Sequence, residues 1–176
     1  MPELNNQNFN HLKIHTQYSI CEGAIKIDNL KDFCKEKKIP CLGLSDTSNL
    51  CGALEFAENI SKVGTQPIIG TQIYFRFEDT TGLLPLIALN ENGYKKIIEL
   101  SSRSYLENDA LSDPHLDIKE LLKDIEGVSL LSGTIQGLFG KLFVKGRLDE
   151  ISKLYKSLAS KFKDNFYLEI QRHGDQ

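Results

Sequence analysis

One complete strand–helix–strand unit occupies residues 39–70, "IPCLGLSDTSNLCGALEFAENISKVGTQPIIG". Apolar residues crowd its two ends, at 39–45 and from 66 onward to 75, and each run is short enough for a buried strand. Between them, apolar residues recur at spacings of three and four, which is the period of an amphipathic helix over 50–63. The helical positions are Leu50, Ala53, Leu54, Ala57, Ile60 and Val63, and Gly64 marks the helix end. The unit predicts an α/β fold.

The same alternation continues on both sides of this unit. Upstream there is a strand at 11–15 and a helix over 29–38; downstream there are strands at 83–89, 127–132 and 165–171 and helices over 90–106, 117–125 and 148–162. Such alternation predicts parallel strands joined by crossover helices. An open doubly wound sheet and a closed barrel both fit it, and in either fold ligands bind at the carboxyl ends of the strands.

Composition narrows the class of protein. The chain has 176 residues, of which 40% are hydrophobic and 26% charged, as is usual for a soluble globular domain. A net charge of −3 argues against a domain that binds nucleic acid on its own. No apolar run approaches the roughly 18 residues that are needed to span a membrane. Residues 1–8 form a polar tail without the apolar core of a secretory signal. The four cysteines form no CxxC pair, so we expect reduced thiols in a cytoplasmic protein.

Few strong metal ligands stand at the predicted strand ends. In chain order the polar side chains there are His15, Thr16, Glu22, Asp46, Thr47, Gln72 and Thr134, and Leu83 begins the fourth strand. One histidine and two carboxylates are too few for a hydrolytic site with two or three metal ions, because each divalent ion takes about four to six ligands. GxSxG, GxxxxGK[ST] and HExxH motifs are absent. The glycines of "SGTIQGLFG", residues 132–140, lack dinucleotide-binding spacing and predict turns and close packing.

Lys13 stands between two histidines in "HLKIH", residues 11–15. Alternation along a strand points residues 11, 13 and 15 to the same face. Two histidines so placed can share a metal ion, but the ammonium group of Lys13 repels a divalent cation. The pattern therefore fits either a working metal site or a former metal site that no longer binds an ion.

Five blocks in order carry a family resemblance: "HLKIHTQYSICEGAIKIDNL", "IPCLGLSDTSNLCGALEFAENISKVGTQPIIG", "LIALNENGYKKIIEL", "LLSGTIQG" and "FYLEIQRHG". From Phe9 to Gly174 the chain resembles the PHP (polymerase and histidinol phosphatase) domain at the N-terminus of bacterial DNA polymerase III alpha subunits. The resemblance implies a distorted, TIM-like (β/α)7 barrel over 9–176. It also implies that the last barrel strands, with an Asp-x-His pair, and the polymerase palm, fingers and thumb would follow Gln176.

The resemblance also assigns metal-ligand positions. They fall on Lys13, His15, Glu22, Asp46, Thr47, Gln72, Leu83 and Thr134. Only His15, Glu22 and Asp46 keep ligand chemistry, so the resemblance implies a degenerate site without catalytic residues or bound metal. Zinc or manganese held by these three residues is the alternative. We expect Lys13 to pair with Glu22 or Asp46 in place of the lost charge.

The function implied is structural. The domain would support the alpha chain, whose absent palm would use magnesium, and would form a docking platform for the proofreading exonuclease subunit of the replicase holoenzyme. We expect no direct nucleic-acid binding and no membrane contact. The alternative is an active metal-dependent phosphoesterase or 3′–5′ exonuclease, and a free-standing histidinol-phosphatase-like enzyme is a third possibility.

Overall fold

The computed structural model describes residues 9–109 and 111–170, so the predicted tail at 1–8 lies outside the described residues. The elements in chain order are β1 (His11–Ile14), α1 (Ile27–Lys37), β2 (Cys41–Thr47), α2 (Ala53–Ser61), β3 (Gln66–Phe77), β4 (Thr80–Ala88), α3 (Glu91–Leu106), β5 (Leu116–Asp117), β6 (Val128–Leu131), α4 (Leu138–Val144), α5 (Leu148–Phe162) and β7 (Phe166–Tyr167). Two short 3₁₀ helices, Ile118–Leu122 and Lys163–Asn165, precede β6 and β7. No helix in the described part of the chain has the length and apolar character needed to cross a bilayer.

The strands form one seven-stranded sheet in the order β1-β2-β3-β4-β6-β7, with β5 paired to the end of β3. Strands β1, β2 and β3 are parallel and are joined through α1 and α2, as the 39–70 unit predicts. The prediction of parallel strands throughout is wrong, because β4 runs antiparallel to both β3 and β6. Only Glu78 and Asp79 connect β3 to β4, and Glu78 has a φ of 52°. A two-residue connection forms a hairpin and is too short for a crossover.

The sheet curls until its two edges approach each other. β1 and the segment after β7 lie at opposite ends of the strand order, yet Lys13 Nζ is 3.2 Å from Glu169 Oε1. Two apolar clusters pack the sheet against the helices. One cluster includes Ile73, Phe75, Leu84, Leu86, Ile97, Leu100, Leu154 and Leu158, and the other includes Ile27, Leu30, Leu42, Leu44, Phe56 and Ile60. The predicted fold, a partial TIM-like barrel, is confirmed.

Two local predictions were wrong, and the strand predicted over 165–171 is confirmed only at Phe166–Tyr167 among the described residues. The helix predicted over 117–125 is instead strand β5 followed by a 3₁₀ helix, whose Ile118 and Leu121 are buried three residues apart. Helix α4 was missed because it begins within the glycine-bearing stretch at 132–140, where turns were predicted. Gly140 in this helix does pack closely, since a Cβ atom there would be 2.2 Å from the carbonyl oxygen of Ile135.

Candidate functional site: the mouth cleft

A polar cleft of about 430 Å³ opens at the end of the sheet where β1 and β2 finish, beside Gln72 in the middle of β3, and we call it the mouth cleft. Six of the eight predicted positions line it: Lys13, His15, Glu22, Gln72, Leu83 and Thr134. Leu83 belongs to this end because β4 is antiparallel, so that its early residues pair with the late residues of β3. The other two positions, Asp46 and Thr47, end β2 beside the cleft. Thr47 contacts the cleft residues Glu22 and Gln72, and Asp46 contacts Ser19 in the loop that carries Glu22.

Asp46 is fully buried and binds the loop that follows β1. Its Oδ1 accepts hydrogen bonds from the backbone N–H of Thr16 at 2.6 Å and from the hydroxyl of Ser19 at 2.8 Å. Its Oδ2 accepts from the hydroxyl of Thr16 at 2.7 Å. A buried carboxylate is tolerated only when its oxygens are hydrogen-bonded. Both oxygens are thus engaged in positioning the loop, which leaves Asp46 a poor metal ligand.

A chain of hydrogen bonds joins three of the predicted positions. The Gln72 amide donates to Thr47 Oγ1 at 2.9 Å, and the Thr47 hydroxyl donates to Glu22 Oε2 at 2.5 Å. The Thr47 hydroxyl hydrogen points to the carboxylate, while its lone pair accepts from the amide. Glu22 therefore has a neutral donor as its partner at the cleft wall.

His15 lies at the centre of the cleft side chains. Its Nδ1 is 3.4 Å from Ser19 Oγ and 3.8 Å from Glu22 Oε2, and its Nε2 is 3.5 Å from Gln72 Nε2. Because the Ser19 hydroxyl donates to Asp46, it faces His15 as an acceptor, which assigns the ring proton to Nδ1. Burial lowers the pKa of His15 below its ordinary 6.5, with Glu22 raising it and Lys13 lowering it further. The lowered pKa favours the neutral form of His15 at pH 7.

Lys13 forms its ion pair with Glu169, at 3.2 Å, and neither Glu22 nor Asp46 is within ion-pair distance of it. The predicted pairing of Lys13 with Glu22 or Asp46 is therefore wrong. The physical reason is that both carboxylates receive short hydrogen bonds from hydroxyl groups, while the curl of the sheet brings Glu169 to the ammonium. Glu169 was missed by the sequence analysis, since it falls within the strand predicted at 165–171.

Leu83 and Thr134 form the far wall of the cleft. Leu83 makes a parallel backbone bridge with Gly137, and a Cβ atom on Gly137 would be 3.0 Å from the Leu83 carbonyl oxygen. Thr134 Oγ1 accepts from the backbone N–H of Gln136 at 3.3 Å, which stabilises the turn before α4. An alkyl side chain and a hydroxyl already used in a turn supply no strong ligand on this wall.

The side chains of the cleft do not suit the zinc or manganese site that the resemblance raises as an alternative. Among the described residues, no group of three or more His, Cys, Asp and Glu side chains is arranged to hold a metal ion. Lys13 brings a positive charge to the cleft, and Asp46 and Glu22 accept hydrogen bonds from hydroxyl donors. Ser19 was not among the predicted site residues, although a hydroxyl four residues after His15 is a usable signal for a loop that binds a buried carboxylate.

Comparison with known proteins gives a family match over most of the chain. The PHP domain model matches residues 11–173. The DNA polymerase III subunit alpha of Caulobacter vibrioides is 38% identical over 183 residues, covering 99% of this chain and 16% of that protein. The subunits of Borreliella burgdorferi and Thermus aquaticus are each 34% identical, covering 94% of this chain and 15% of each relative. The chain thus spans about one-sixth of the length of these curated relatives.

Two solved structures show a more distant similarity. One, a protein from Bifidobacterium adolescentis assigned as a metal-dependent phosphoesterase, has 14% identity and a TM-score of 0.45, covering 88% of this chain and 56% of that protein. The other, an amidohydrolase from Chromobacterium violaceum, has 13% identity and a TM-score of 0.43, covering 84% of this chain and 54% of that protein.

Proposed function

Because this chain belongs to the PHP domain family, we propose that it is the N-terminal PHP domain of a DNA polymerase III alpha subunit and serves DNA replication. The similarity to the Caulobacter subunit over 99% of this chain carries the proposal. A chain of this kind would work in the bacterial cytoplasm. Sequencing the gene beyond the codon for residue 176 tests the assignment. A reading frame that continues into polymerase palm, fingers and thumb sequences is expected, and a stop codon within a few residues would contradict it.

Within such a subunit, we propose that the domain is non-catalytic and that the mouth cleft is a degenerate metal site. The observation that carries this is that the polar side chains of the cleft bind one another. Thr47 donates to Glu22 and accepts from Gln72, and Lys13 is paired with Glu169. A metal ion would have to displace these hydrogen bonds and approach an ammonium group, and both steps cost free energy.

An activity assay distinguishes this proposal from an active enzyme. The protein is incubated with manganese or zinc and either a phosphomonoester or a 3′-labelled single-stranded DNA, beside a His15→Ala variant. We expect equal, background rates from both proteins and no stoichiometric metal by elemental analysis. Metal-dependent hydrolysis that is lost in His15→Ala would instead establish a phosphoesterase or 3′–5′ exonuclease.

For partners, we propose the rest of the alpha chain, the proofreading exonuclease subunit and through them the replicase holoenzyme. Support comes from the resemblance, which implies a docking platform in the branch of the family whose PHP domain has lost the metal ligands. Co-expression of the natural chain with the exonuclease subunit of the same genome, followed by gel filtration, tests the contact. The two should elute together, whereas an unrelated exonuclease of similar size should elute apart. Separate elution of both pairs would contradict the docking role.

A further inference from the structure

Three large apolar side chains are exposed at the end of α3 and in the loop that follows it. Tyr105 is 52% exposed, Leu106 is 81% exposed and Leu111 is fully exposed. Single exposed apolar residues are common on protein surfaces, but three of them within one short stretch indicate a contact surface. The loop leads into β5, which pairs with β3, an inner strand of the sheet. The exposure of these side chains therefore does not depend on the gap between β1 and β7.

Hydrogen bonds from one side chain tie the two ends of this loop together. The Asn108 amide donates to the carbonyl oxygen of Ser104, in α3, at 2.7 Å. The same amide donates to the carbonyl oxygen of His115, just before β5, at 2.6 Å. Leu111 is thus presented from a loop with fixed ends, which lowers the entropy that would be lost on binding.

The same stretch of chain is acidic. From residue 104 to residue 118 the sequence has no Lys or Arg and has four carboxylates, at Glu107, Asp109, Asp113 and Asp117. Glu107 pairs with Arg103, and Asp117 accepts from the backbone N–H of Lys119. Asp109 and Asp113 are exposed, and neither lies within ion-pair distance of a cation among the described residues. A surface that complements this stretch is therefore apolar and basic.

The exposed stretch, residues 105–113, is too small to hold a separate protein by itself. A stable interface buries about 800 Å² on each partner and uses roughly 20–30 residues of each. A smaller contact is sufficient when both surfaces belong to one chain, because the covalent link supplies an effective concentration of the order of mM. This chain covers only 16% of the Caulobacter relative, so a parent chain of similar length has ample room for the partner surface.

We propose that residues 105–113, which we call the acidic loop, dock on the polymerase part of the same alpha chain, at an apolar pocket rimmed by Lys and Arg. Leu111 enters the pocket, and Asp109 and Asp113 face its cations. A polymerase part carries basic surface because it binds the DNA backbone, so a surface of this charge is expected there. The inference rests on the proposed function, since it requires an alpha chain that continues beyond residue 176.

Photo-crosslinking in the purified, full-length alpha chain tests the contact. A photoreactive benzoylphenylalanine replaces Leu111, and the chain is irradiated at high dilution, where contacts between molecules are rare. By mass spectrometry, we expect a cross-link to a peptide beyond residue 176 that has more Lys and Arg than Asp and Glu. The same group in place of Leu54, which is 71% exposed on α2, is the matched control. It should give at most about a tenth of that yield.

Charge reversal tests the acidic contribution separately. Asp109→Lys with Asp113→Lys should lower the cross-linking yield from position 111 about fivefold. If that variant misfolds, Asp109→Asn with Asp113→Asn is used instead and should lower the yield about twofold. Asp28→Lys with Asp32→Lys changes two exposed carboxylates on α1 and should leave the yield unchanged.

Several outcomes would overturn the acidic-loop contact. They are a yield no higher than that of the Leu54 control, a cross-link to a peptide of net negative charge, and a cross-link that forms only when the exonuclease subunit is added. A yield that the changes at Asp109 and Asp113 leave unaltered would also overturn it. These failures leave the replication assignment intact, because that assignment fails only if the reading frame stops soon after codon 176.

Discussion

Asp46 accepts hydrogen bonds from both the backbone N–H and the hydroxyl group of Thr16, at 2.6 and 2.7 Å. These two bonds hold the start of the loop after β1 against the end of β2, and Ser19 adds a third at 2.8 Å. The same loop carries Glu22 and follows directly on His15. The position that the resemblance assigns to a metal-binding motif therefore acts here as the anchor of the cleft loop.

Replacing this anchor should destabilise the protein. In an Asp46→Asn variant, the amide group of the new side chain would face N–H and O–H donors in a fully buried site. Losing hydrogen bonds to a buried charge in this way costs about 1–3 kcal/mol. Urea unfolding of parent and variant measures the difference in the free energy of unfolding.

Asp32→Asn is the control for this prediction, because the Asp32 side chain is exposed on α1. Its free energy of unfolding should stay within about 0.5 kcal/mol of the parent. Equal stability of Asp46→Asn and the parent would show that the loop does not depend on the carboxylate.

His15 should make stability depend on pH. Its pKa is lowered in the folded protein, mainly by burial, so the unfolded chain takes up a proton first as the pH falls. Stability should therefore decrease as the pH drops below about 6.5, through the interval down to the lowered pKa. In a His15→Gln variant this decrease in stability should disappear. The midpoints of urea unfolding at pH 7.5 and pH 5 measure it for the parent and the variant.

His11→Gln serves as the comparison for that slope, since His11 is exposed at the start of β1. This variant should keep the pH dependence of the parent. If both variants kept the pH dependence, the slope would have to come from other groups, and the account of His15 as a half-buried neutral ring would be wrong.

Arg147 stabilises the hairpin between β3 and β4 through Asp79. Its guanidinium donates to both Asp79 oxygens, one of them at 2.7 Å, and this lowers the pKa of Asp79 to about 2 from 3.8. A lowered carboxyl pKa contributes stability above pH 4 that is lost as the pH falls toward 2. Asp79→Asn should therefore lower the melting temperature slightly at pH 7, by about 2 °C or less for so exposed a pair, and by much less at pH 2.

Calorimetry at the two pH values checks this difference, with Asp164→Asn as the exposed control. The control should have the same melting temperature as the parent at both pH values. A decrease for Asp79→Asn that persisted undiminished at pH 2 would exclude the ion pair as its cause.

The strand–helix–strand unit at 39–70 and helix α5 were predictable because their apolar periods are long and end at clear signals. The direction of β4 was not predictable, because its reversal depends on the two-residue connection Glu78–Asp79. This connection carries no Asn-Gly or Asp-Gly signature. The convergence of the cleft residues follows from strand ends, which a sequence pattern can locate. The partner of Lys13 could not be predicted in this way, because Glu169 comes near Lys13 only through the curl of the whole sheet. No local sequence pattern encodes that distance.

Substituting Lys13 by histidine should destabilise the protein without restoring chemistry. The imidazole of Lys13→His is neutral at pH 8 and shorter than lysine, so Glu169 would lose its ammonium partner in a largely buried place. Breaking a buried pair costs about 3–5 kcal/mol, and roughly 1–3 kcal/mol is expected here because water reaches both side chains.

Thr47, Gln72, Leu83 and Thr134 would still provide no strong ligands, so added manganese or zinc should give no phosphoesterase activity. Urea unfolding at pH 8 and a phosphomonoester assay measure the two outcomes, with Lys31→His as the control that should match the parent in both. A Lys13→His variant as stable as the parent that hydrolysed the ester only with metal would show instead that one residue separates the cleft from an active site.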